Sequence, residues 1–312
     1  MSQNPSSPVL KVESLSKQYK SVQAVDNISF EVYPGDVFAF LGPNGAGKTT
    51  TLRILLDIIK ADTGSISWNL DGIPGNPPAV SRLGYLPEER GLYGDIPVIR
   101  SLVYLASIRG MEPAKAKLAA MEWLERLELA DRAKEKLQTL SKGNQQKVQF
   151  VAAILHKPDF AILDEPFSGL DPVNQEKFLE YIQELKAQGT TILLSAHQMA
   201  LVEKIAGKVF LINRGRELYN GPLRDIYDLY GRQHLLKITF RHQADSGKLS
   251  KLDQAAEVTY INERQCRISL QPGADLNAAI TDLARSGEIE DIETQHPDLH
   301  EIYLHLVKNH QS

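Results

Sequence analysis

The chain has 312 residues, 42% hydrophobic and 24% charged, which is the balance of an ordinary globular protein with a substantial core. Its formal net charge of -4 gives no sign of the basic face that a nucleic-acid partner requires, so no nucleic acid is expected. A single cysteine excludes an internal disulfide, and no apolar run is long enough for a membrane span. Because the N-terminus also lacks signal-peptide features, we expect a cytoplasmic protein.

The first elements in chain order predict strands that lead into a glycine-rich turn. Apolar and polar residues alternate in pieces over residues 9–33, which is typical of antiparallel strands around a turn. Val37–Leu41 is a continuous apolar run, typical of a central parallel strand that is covered on both faces. The glycine-rich segment follows at once, and apolar residues then recur at i, i+3, i+4 and i+7 from Leu52, which predicts a helix.

The middle of the chain predicts a helical insertion followed by more of the same sheet. Residues from about 91 to 140 have few strand signals and carry apolar side chains at helical spacing. Phe160–Leu163 and Thr191–Leu194 are predicted as further buried strands, with a helix between them that begins at Asp171-Pro172. Alternating strands and helices indicate an α/β fold with a mostly parallel sheet. The apolar residues of the insertion are Leu118, Met121, Leu124 and Leu127.

After about residue 230 the pattern changes to that of a small α+β domain. The predicted strands are Leu235–Phe240, Val258–Ile261, Cys266–Leu270 and Ile289–Ile292, and the predicted helices are Leu276–Leu283 and Leu299–Val307. Cys266 alternates with polar neighbours in its strand, so we expect a buried, structural thiol.

The glycine-rich segment has the composition and context of a P-loop. Its glycines allow the backbone N–H groups to approach phosphate oxygens, and the following helix adds the positive end of its dipole. We expect Lys48 to reach the β- and γ-phosphates of ATP and the Thr49 hydroxyl to bind Mg²⁺. The predicted phosphate-binding residues are Gly42, Pro43, Asn44, Gly45, Ala46, Gly47, Lys48, Thr49 and Thr50.

Two acids follow the strand Phe160–Leu163. Asp164 stands where a parallel strand ends beside the P-loop, and we expect it to hold Mg²⁺ directly or through water. Glu165 can then orient and deprotonate the attacking water.

With three further motifs, the sequence resembles the ATPases of the ABC-transporter family. Leu140–Lys147 is similar to the family signature, Ser168–Asp171 to its D-loop, and Ser195–His197 to the segment that carries its switch histidine. The five motifs stand in the family's order between residues 9 and 220. The resemblance implies a P-loop ABC-type core at residues 8–230, including an antiparallel β subdomain and a helical subdomain at about 91–157, and an accessory domain at 231–312.

The resemblance also implies that two such chains share each ATP. The P-loop of one chain would face the signature residues Ser141, Lys142, Gly143 and Asn144 of a second chain, in a homodimer or in a heterodimer with a sister subunit. His197 would contact the γ-phosphate, and Tyr19, placed shortly before the first sheet strands, would stack on adenine. Apart from the family, Ser141 reads either as an ordinary helix cap or as an anion site.

The sequence departs from the family pattern at two places. The usual glutamine between core and helical subdomain is Glu88 here, which can still bind Mg²⁺ but adds negative charge near the phosphates; Glu89 is the alternative. In the signature, Lys142 and Asn144 replace the commoner glycine and glutamine.

The subgroup resemblance is to bacterial ATPases of sodium- and drug-export systems, carried by Glu88–Tyr93, the signature Leu140–Gly143 and the C-terminal domain. It implies a subunit on the inner face of the cell membrane that powers a separate integral membrane permease. The alternative is a soluble ABC ATPase that acts on a ribosome, a nucleic acid or an assembly factor.

Overall fold

The computed structural model divides the chain into two units, one ending at Pro222 and the other beginning at Leu223. The sequence-based boundary lies at residue 230, whereas the structure places the helix Leu223–Tyr230 in the second unit. The described residues are 7–70, 73–75, 77–89, 91–230, 235–243, 246–249, 255–271, 274–295 and 297–309.

The first unit combines two sheets with a set of helices. Its strands are β1 (Leu10–Tyr19), β2 (Val22–Val32), β3 (Val37–Leu41), β4 (Thr63–Leu70), β5 (Ile73–Gly75), β6 (Leu83–Leu86), β7 (Phe160–Asp164), β8 (Thr191–Ala196), β9 (Lys208–Asn213) and β10 (Arg216–Pro222). Its helices are α1 (Lys48–Leu55), α2 (Val98–Ile108), α3 (Pro113–Arg126), α4 (Lys142–Ile154), α5 (Pro172–Ala187) and α6 (Met199–Val202).

The central sheet has the order β10-β9-β3-β8-β7-β6. All neighbours from β9 to β6 are parallel, and β10 pairs antiparallel with β9 at the edge. Every residue of β3, β7 and β8 is buried, which confirms the prediction of central strands covered on both faces. Since parallel strands end at the same edge, the segments after β3, β7 and β8 meet there.

A second, antiparallel sheet has the order β2-β1-β4-β5. Phe30 of β2 joins it to the central sheet by packing against Phe38, Phe40 and Phe210, with ring centroids 5.4–5.5 Å apart. Four large rings buried together make this contact a main source of apolar stabilisation between the sheets.

The position predicted for Tyr19 is wrong in one respect. Tyr19 does not precede the first strands; it is the last residue of β1 and pairs with Val22 at the start of β2. The strand continues through the polar residues Lys17 and Gln18 because β2 supplies backbone partners as far as the tight turn, where Lys20 has φ 51°.

The predicted helical insertion is confirmed as α2, α3 and α4, but one of its predicted core residues is not buried. Leu118 is 68% exposed, whereas Ala116, Ala120 and Leu124 form the buried face of α3. These residues recur every four positions, and the two alanines allow close packing of neighbouring helices. An apolar side chain at helical spacing therefore did not in every case mark the inner face of this helix.

The second unit contains α7 (Leu223–Tyr230), β11 (Leu235–Phe240), α8 (Ser246–Leu249), β12 (Ala255–Tyr260), β13 (Gln265–Leu270), α9 (Leu276–Ser286), β14 (Ile289–Gln295) and α10 (Leu299–Asn309). Its sheet is antiparallel, in the order β12-β13-β11-β14. The predicted elements are all present, with ends shifted by a few residues. Cys266 is buried in the core of this unit, and burial raises the pKa of its thiol to about 11. This thiol is structural, as expected.

In the part of the chain that the structure describes, we find no helix with the length and apolar character needed to cross a membrane.

Candidate functional site

The glycine-rich segment forms the turn between β3 and α1, and close packing requires its glycines. A Cβ atom on Gly42 would stand 2.3 Å from the Ile212 carbonyl oxygen, and one on Gly47 would stand 2.2 Å from the Ala24 carbonyl oxygen. Gly47 also has φ 109°, a conformation that side chains disfavour. Helix α1 begins at the next residue, so the backbone N–H groups of its first turn, which have no partner within the helix, lie at the end of the glycine-rich segment.

The turn borders a cleft of about 180 Å³ that gathers most of the predicted phosphate-binding residues. Glu88 and Glu165 lie on the same cleft, although they come from other parts of the chain. The lining also includes Val22 and Ala24 of β2, which sequence analysis missed. The predicted residues on the cleft are Pro43, Asn44, Gly45, Gly47, Lys48, Thr49 and Thr50, while Gly42 and Ala46 support the turn from behind.

Lys48 is almost fully buried at the centre of this arrangement, with 5% exposure. Its ammonium group donates to the carbonyl oxygens of Gly42 at 2.7 Å and Pro43 at 3.3 Å, and it lies 3.3 Å from the Glu165 carboxylate. A buried cation needs such partners. Phosphate oxygens in the cleft would offer it a charge-assisted alternative.

Glu165 is held by its backbone as well as by its side chain. It has φ 51°, and its N–H donates to the Ser195 carbonyl oxygen at 3.1 Å. One carboxylate oxygen lies 2.8 Å from His197 Nδ1, and the other faces Lys48. The structure thus brings the three predicted catalytic residues, Lys48, Glu165 and His197, into direct contact.

The acid before it, Asp164, is completely buried at the end of β7. Burial raises the pKa of Asp164, whereas the hydrogen bond from Ser195 and the nearby Thr49 hydroxyl act to lower it. Its Oδ2 atom is buried without a partner in hydrogen-bond geometry. The Thr49 hydroxyl donates to Glu88 at 3.3 Å, so the hydroxyl and the two carboxylates form one cluster.

These groups fit a magnesium ion. Hydroxyl and carboxylate oxygens are the donors that Mg²⁺ prefers, and a cation beside Asp164 would favour its ionised form. Within the described ranges no group of three or more His, Cys, Asp or Glu side chains could hold a metal by itself. A cation here would therefore also depend on phosphate oxygens and water, which is the usual coordination of Mg²⁺ in nucleotide sites.

The signature residues and Tyr19 do not line this cleft. Ser141 caps α4 and accepts a hydrogen bond from the Asn144 N–H at 3.3 Å, as expected, and Lys142 opens the helix. A Cβ atom on Gly143 would come within 3.0 Å of the Gly169 carbonyl oxygen, so the signature turn packs against the predicted D-loop. Tyr19 is 45% exposed, with the Lys17 ammonium 5.6 Å from its ring centroid.

Ser195 is a residue of this site for which the sequence predicted no role. Its hydroxyl donates to Asp164 Oδ1 and accepts a hydrogen bond from the Glu165 N–H at 3.2 Å. The signal was its position two residues before His197, at the end of a buried strand. Only the register of β7 against β8 shows that it faces the acids.

Two protein-family models match the chain. The first, described as "ABC transporter", matches residues 25–168. The second, described as "ATP-binding protein DrrA1-3-like, C-terminal domain", matches residues 221–307. The matches fall on different structural units, apart from two residues at the boundary.

Similar proteins cover both units. The chain is 38% identical to the uncharacterized ABC transporter ATP-binding protein YhaQ of Bacillus subtilis, over 96% of this chain and 98% of that protein. It is 35% identical to a Nod factor export ATP-binding protein I of Burkholderia pseudomallei, over 70% of this chain and 75% of that protein. A solved structure described as an ATP binding subunit of an ABC transporter aligns with a TM-score of 0.64 and 32% identity, covering 71% of this chain and 93% of that chain.

Proposed function

The chain belongs to the family of ABC transporter ATP-binding proteins, and we propose that it powers export through a separate membrane permease by ATP-driven closure of a dimer. As a member of this family it is a transport-coupled ATPase. The observation that carries the ATPase part of the proposal is the cleft where Lys48, Glu165 and Glu88 meet beside the P-loop turn.

For hydrolysis, we infer a separate role for each of the side chains Lys48, Glu165 and His197. Lys48, already buried and positively charged, would exchange its protein acceptors for β- and γ-phosphate oxygens. Glu165 would accept a proton from the attacking water, and His197, 2.8 Å away, would orient the carboxylate and approach the γ-phosphate. Thr49, Asp164 and Glu88 would hold Mg²⁺, which when bound neutralises charge on the phosphates.

A dimer is supported by what the cleft of one chain lacks. Ser141, Lys142 and Gly143 stand at the start of α4 and take no part in lining the cleft. The Ser141 hydroxyl and the N-terminus of α4 would suit a γ-phosphate presented by a second chain. Tyr19, exposed at the hairpin next to the cleft-lining residue Val22, would stack on adenine. Both a homodimer and a heterodimer with a sister subunit satisfy this arrangement.

Export, rather than import, is supported by the relatives. One of them is named a Nod factor export ATP-binding protein, and another a linearmycin resistance ATP-binding protein. We infer a peripheral position on the inner face of the membrane, where an integral permease would receive the force of closure.

The catalytic assignment is tested with Glu165→Gln. We expect this variant to bind ATP, to lose hydrolysis, and to accumulate as a closed dimer in size-exclusion chromatography with ATP, because the amide cannot accept the water proton. Glu180→Gln, an exposed acid on α5, is the matched control and should hydrolyse ATP normally. Normal hydrolysis by Glu165→Gln would refute the assignment.

The transport assignment needs its own measurement. The tagged chain is purified from detergent-solubilised membranes, and its ATPase rate is compared with and without any integral protein that stays bound. We expect a bound permease with several spans of about 20 apolar residues each, and a changed rate. Recovery only with ribosomes, nucleic acid or an assembly factor would overturn the export proposal in favour of a non-transport ATPase.

A further inference from the structure

We propose that Ser195 is a positioning residue that sets the orientation of Asp164 for the metal site. The proposal rests on the metal-binding role proposed for Asp164. Asp164 and Ser195 are direct neighbours in the parallel pairing of β7 and β8, at the edge where the cleft lies. Both are completely buried.

One hydroxyl serves two consecutive acids. It donates its proton to Asp164 Oδ1, and its oxygen accepts the Glu165 N–H at 3.2 Å. Oδ1 is thereby occupied, while Oδ2 stays buried without a hydrogen-bond partner. The carboxylate is thus fixed with one oxygen bound to protein and the other available to a cation, which is how partners of metal ligands act in many sites.

The two acids depend on this hydroxyl to different degrees. Glu165 keeps a second acceptor for its N–H, the Ser195 carbonyl oxygen at 3.1 Å, which any residue at position 195 provides. Among the described hydrogen bonds, Asp164 Oδ1 has no second donor besides the Ser195 hydroxyl. Removing the hydroxyl should therefore change Asp164 most, leaving a buried carboxylate oxygen unpaired.

The experiment compares Ser195→Thr with Ser195→Val. These variants add nearly the same volume at a buried position and differ in the hydroxyl, so the cost of packing is shared. The probe is Mn²⁺ with a non-hydrolysable ATP analogue, and its dissociation constant is measured by electron paramagnetic resonance. We expect the threonine variant to resemble the wild type and the valine variant to bind Mn²⁺ about tenfold more weakly, a typical loss for a partner of a metal ligand.

Control variants distinguish a positioning role of Ser195 from a general loss of folding. Thr191→Ala removes another buried hydroxyl from β8, one that accepts from the Gly35 N–H, and should leave Mn²⁺ binding unchanged. Binding of the analogue without metal should be equal in all variants. Equal Mn²⁺ binding by the threonine and valine variants would overturn the proposal for Ser195. If Asp164→Asn also leaves Mn²⁺ binding unchanged, the failure lies instead in the metal role of Asp164.

Discussion

At the scale of single residues, Glu88 is the departure from the family pattern with the clearest chemical consequence. It accepts the Thr49 hydroxyl at 3.3 Å on the cleft beside the P-loop turn. Its charge should attract a cation and repel phosphate. We therefore expect Glu88→Gln to bind ATP more tightly without metal and to bind Mn²⁺ with ATP more weakly, because the charge acts with opposite sign on the two ligands. Calorimetric titrations with and without EDTA measure both.

Glu89→Gln is the matched control for this prediction. The Glu89 side chain is 84% exposed and pairs with Arg53 at 3.4 Å, so the same change of charge occurs one residue away and outside the cleft lining. Exposed charges are largely screened by solvent, and we expect little effect. If Glu89→Gln shows the opposed shifts and Glu88→Gln does not, the metal contact belongs to Glu89.

Residues predicted from sequence share one property, and those missed share another. The P-loop, Asp164-Glu165 and His197 stand in local motifs whose spacing along the chain carries their chemistry. Ser195 acts across two strands, and Val22 and Ala24 reach the cleft from a different sheet. Such contacts depend on pairing between distant segments, which no local pattern specifies.

At the scale of elements, the C-terminal end of α3 is bound to α5 by a stacked and ion-paired arginine. The Arg126 guanidinium lies 4.3 Å from the Trp123 ring centroid and 4.8 Å from that of Tyr181, and it donates to both Glu184 oxygens. Tyr181 in turn donates to the Arg126 carbonyl oxygen. These contacts connect the helical insertion to the helix that follows Asp164 and Glu165.

We expect Arg126→Ala to lower the free energy of unfolding of the first unit by about 1–2 kcal/mol, the sum of partly exposed cation–π and ion-pair contributions. Arg126→Lys should lose much of the same stability, since lysine has neither the planar fork nor the stacking surface. Urea unfolding followed by tryptophan fluorescence measures this, because Trp68 and Trp123 both lie in the first unit. Lys177→Ala, which breaks the neighbouring unstacked pair with Glu128, is the control; an equal loss there would argue against stacking.

The existence of most elements followed from their apolar periodicity, but their arrangement did not. The strands β3, β7 and β8 were recognisable as continuous apolar runs. Their order, in which β8 lies between β3 and β7, places Ser195 beside Asp164 and brings His197 to Glu165. That order is set by packing of the helices on both faces, which periodicity along one segment cannot reveal.

At the scale of the whole molecule, the two units match two different family models, and the cleft beside the P-loop turn lies in the first unit. The contacts of Glu165 with Lys48 and His197, the cleft and the signature turn all fall before Pro222. The first unit contains one P-loop and one signature turn. In the proposed shared site, the P-loop of one chain pairs with the signature turn of a second chain.

This arrangement predicts that two inactive variants restore each other. Lys48→Ala disables the P-loop, and Ser141→Arg places a bulky side chain at the exposed cap of α4. Each variant alone should be inactive, since every site in its dimer is damaged. In a mixed dimer both defects fall in one site and the other is intact. If subunits exchange freely, about half of the dimers are mixed, and about a quarter of the wild-type ATPase rate should return.

The control carries both substitutions in one chain and is mixed with Lys48→Ala. No combination of these subunits contains an intact site, so no activity should return. If ATP were hydrolysed within one chain, Ser141→Arg would stay active alone, and mixing with Lys48→Ala would only dilute it. If the natural assembly pairs this chain with a sister subunit, the wild-type chain alone would be inactive, and Lys48→Ala in this chain would have to be combined with the corresponding signature substitution in the sister. Recovery in the first mixture and not in the second is an outcome that only a head-to-tail shared site produces.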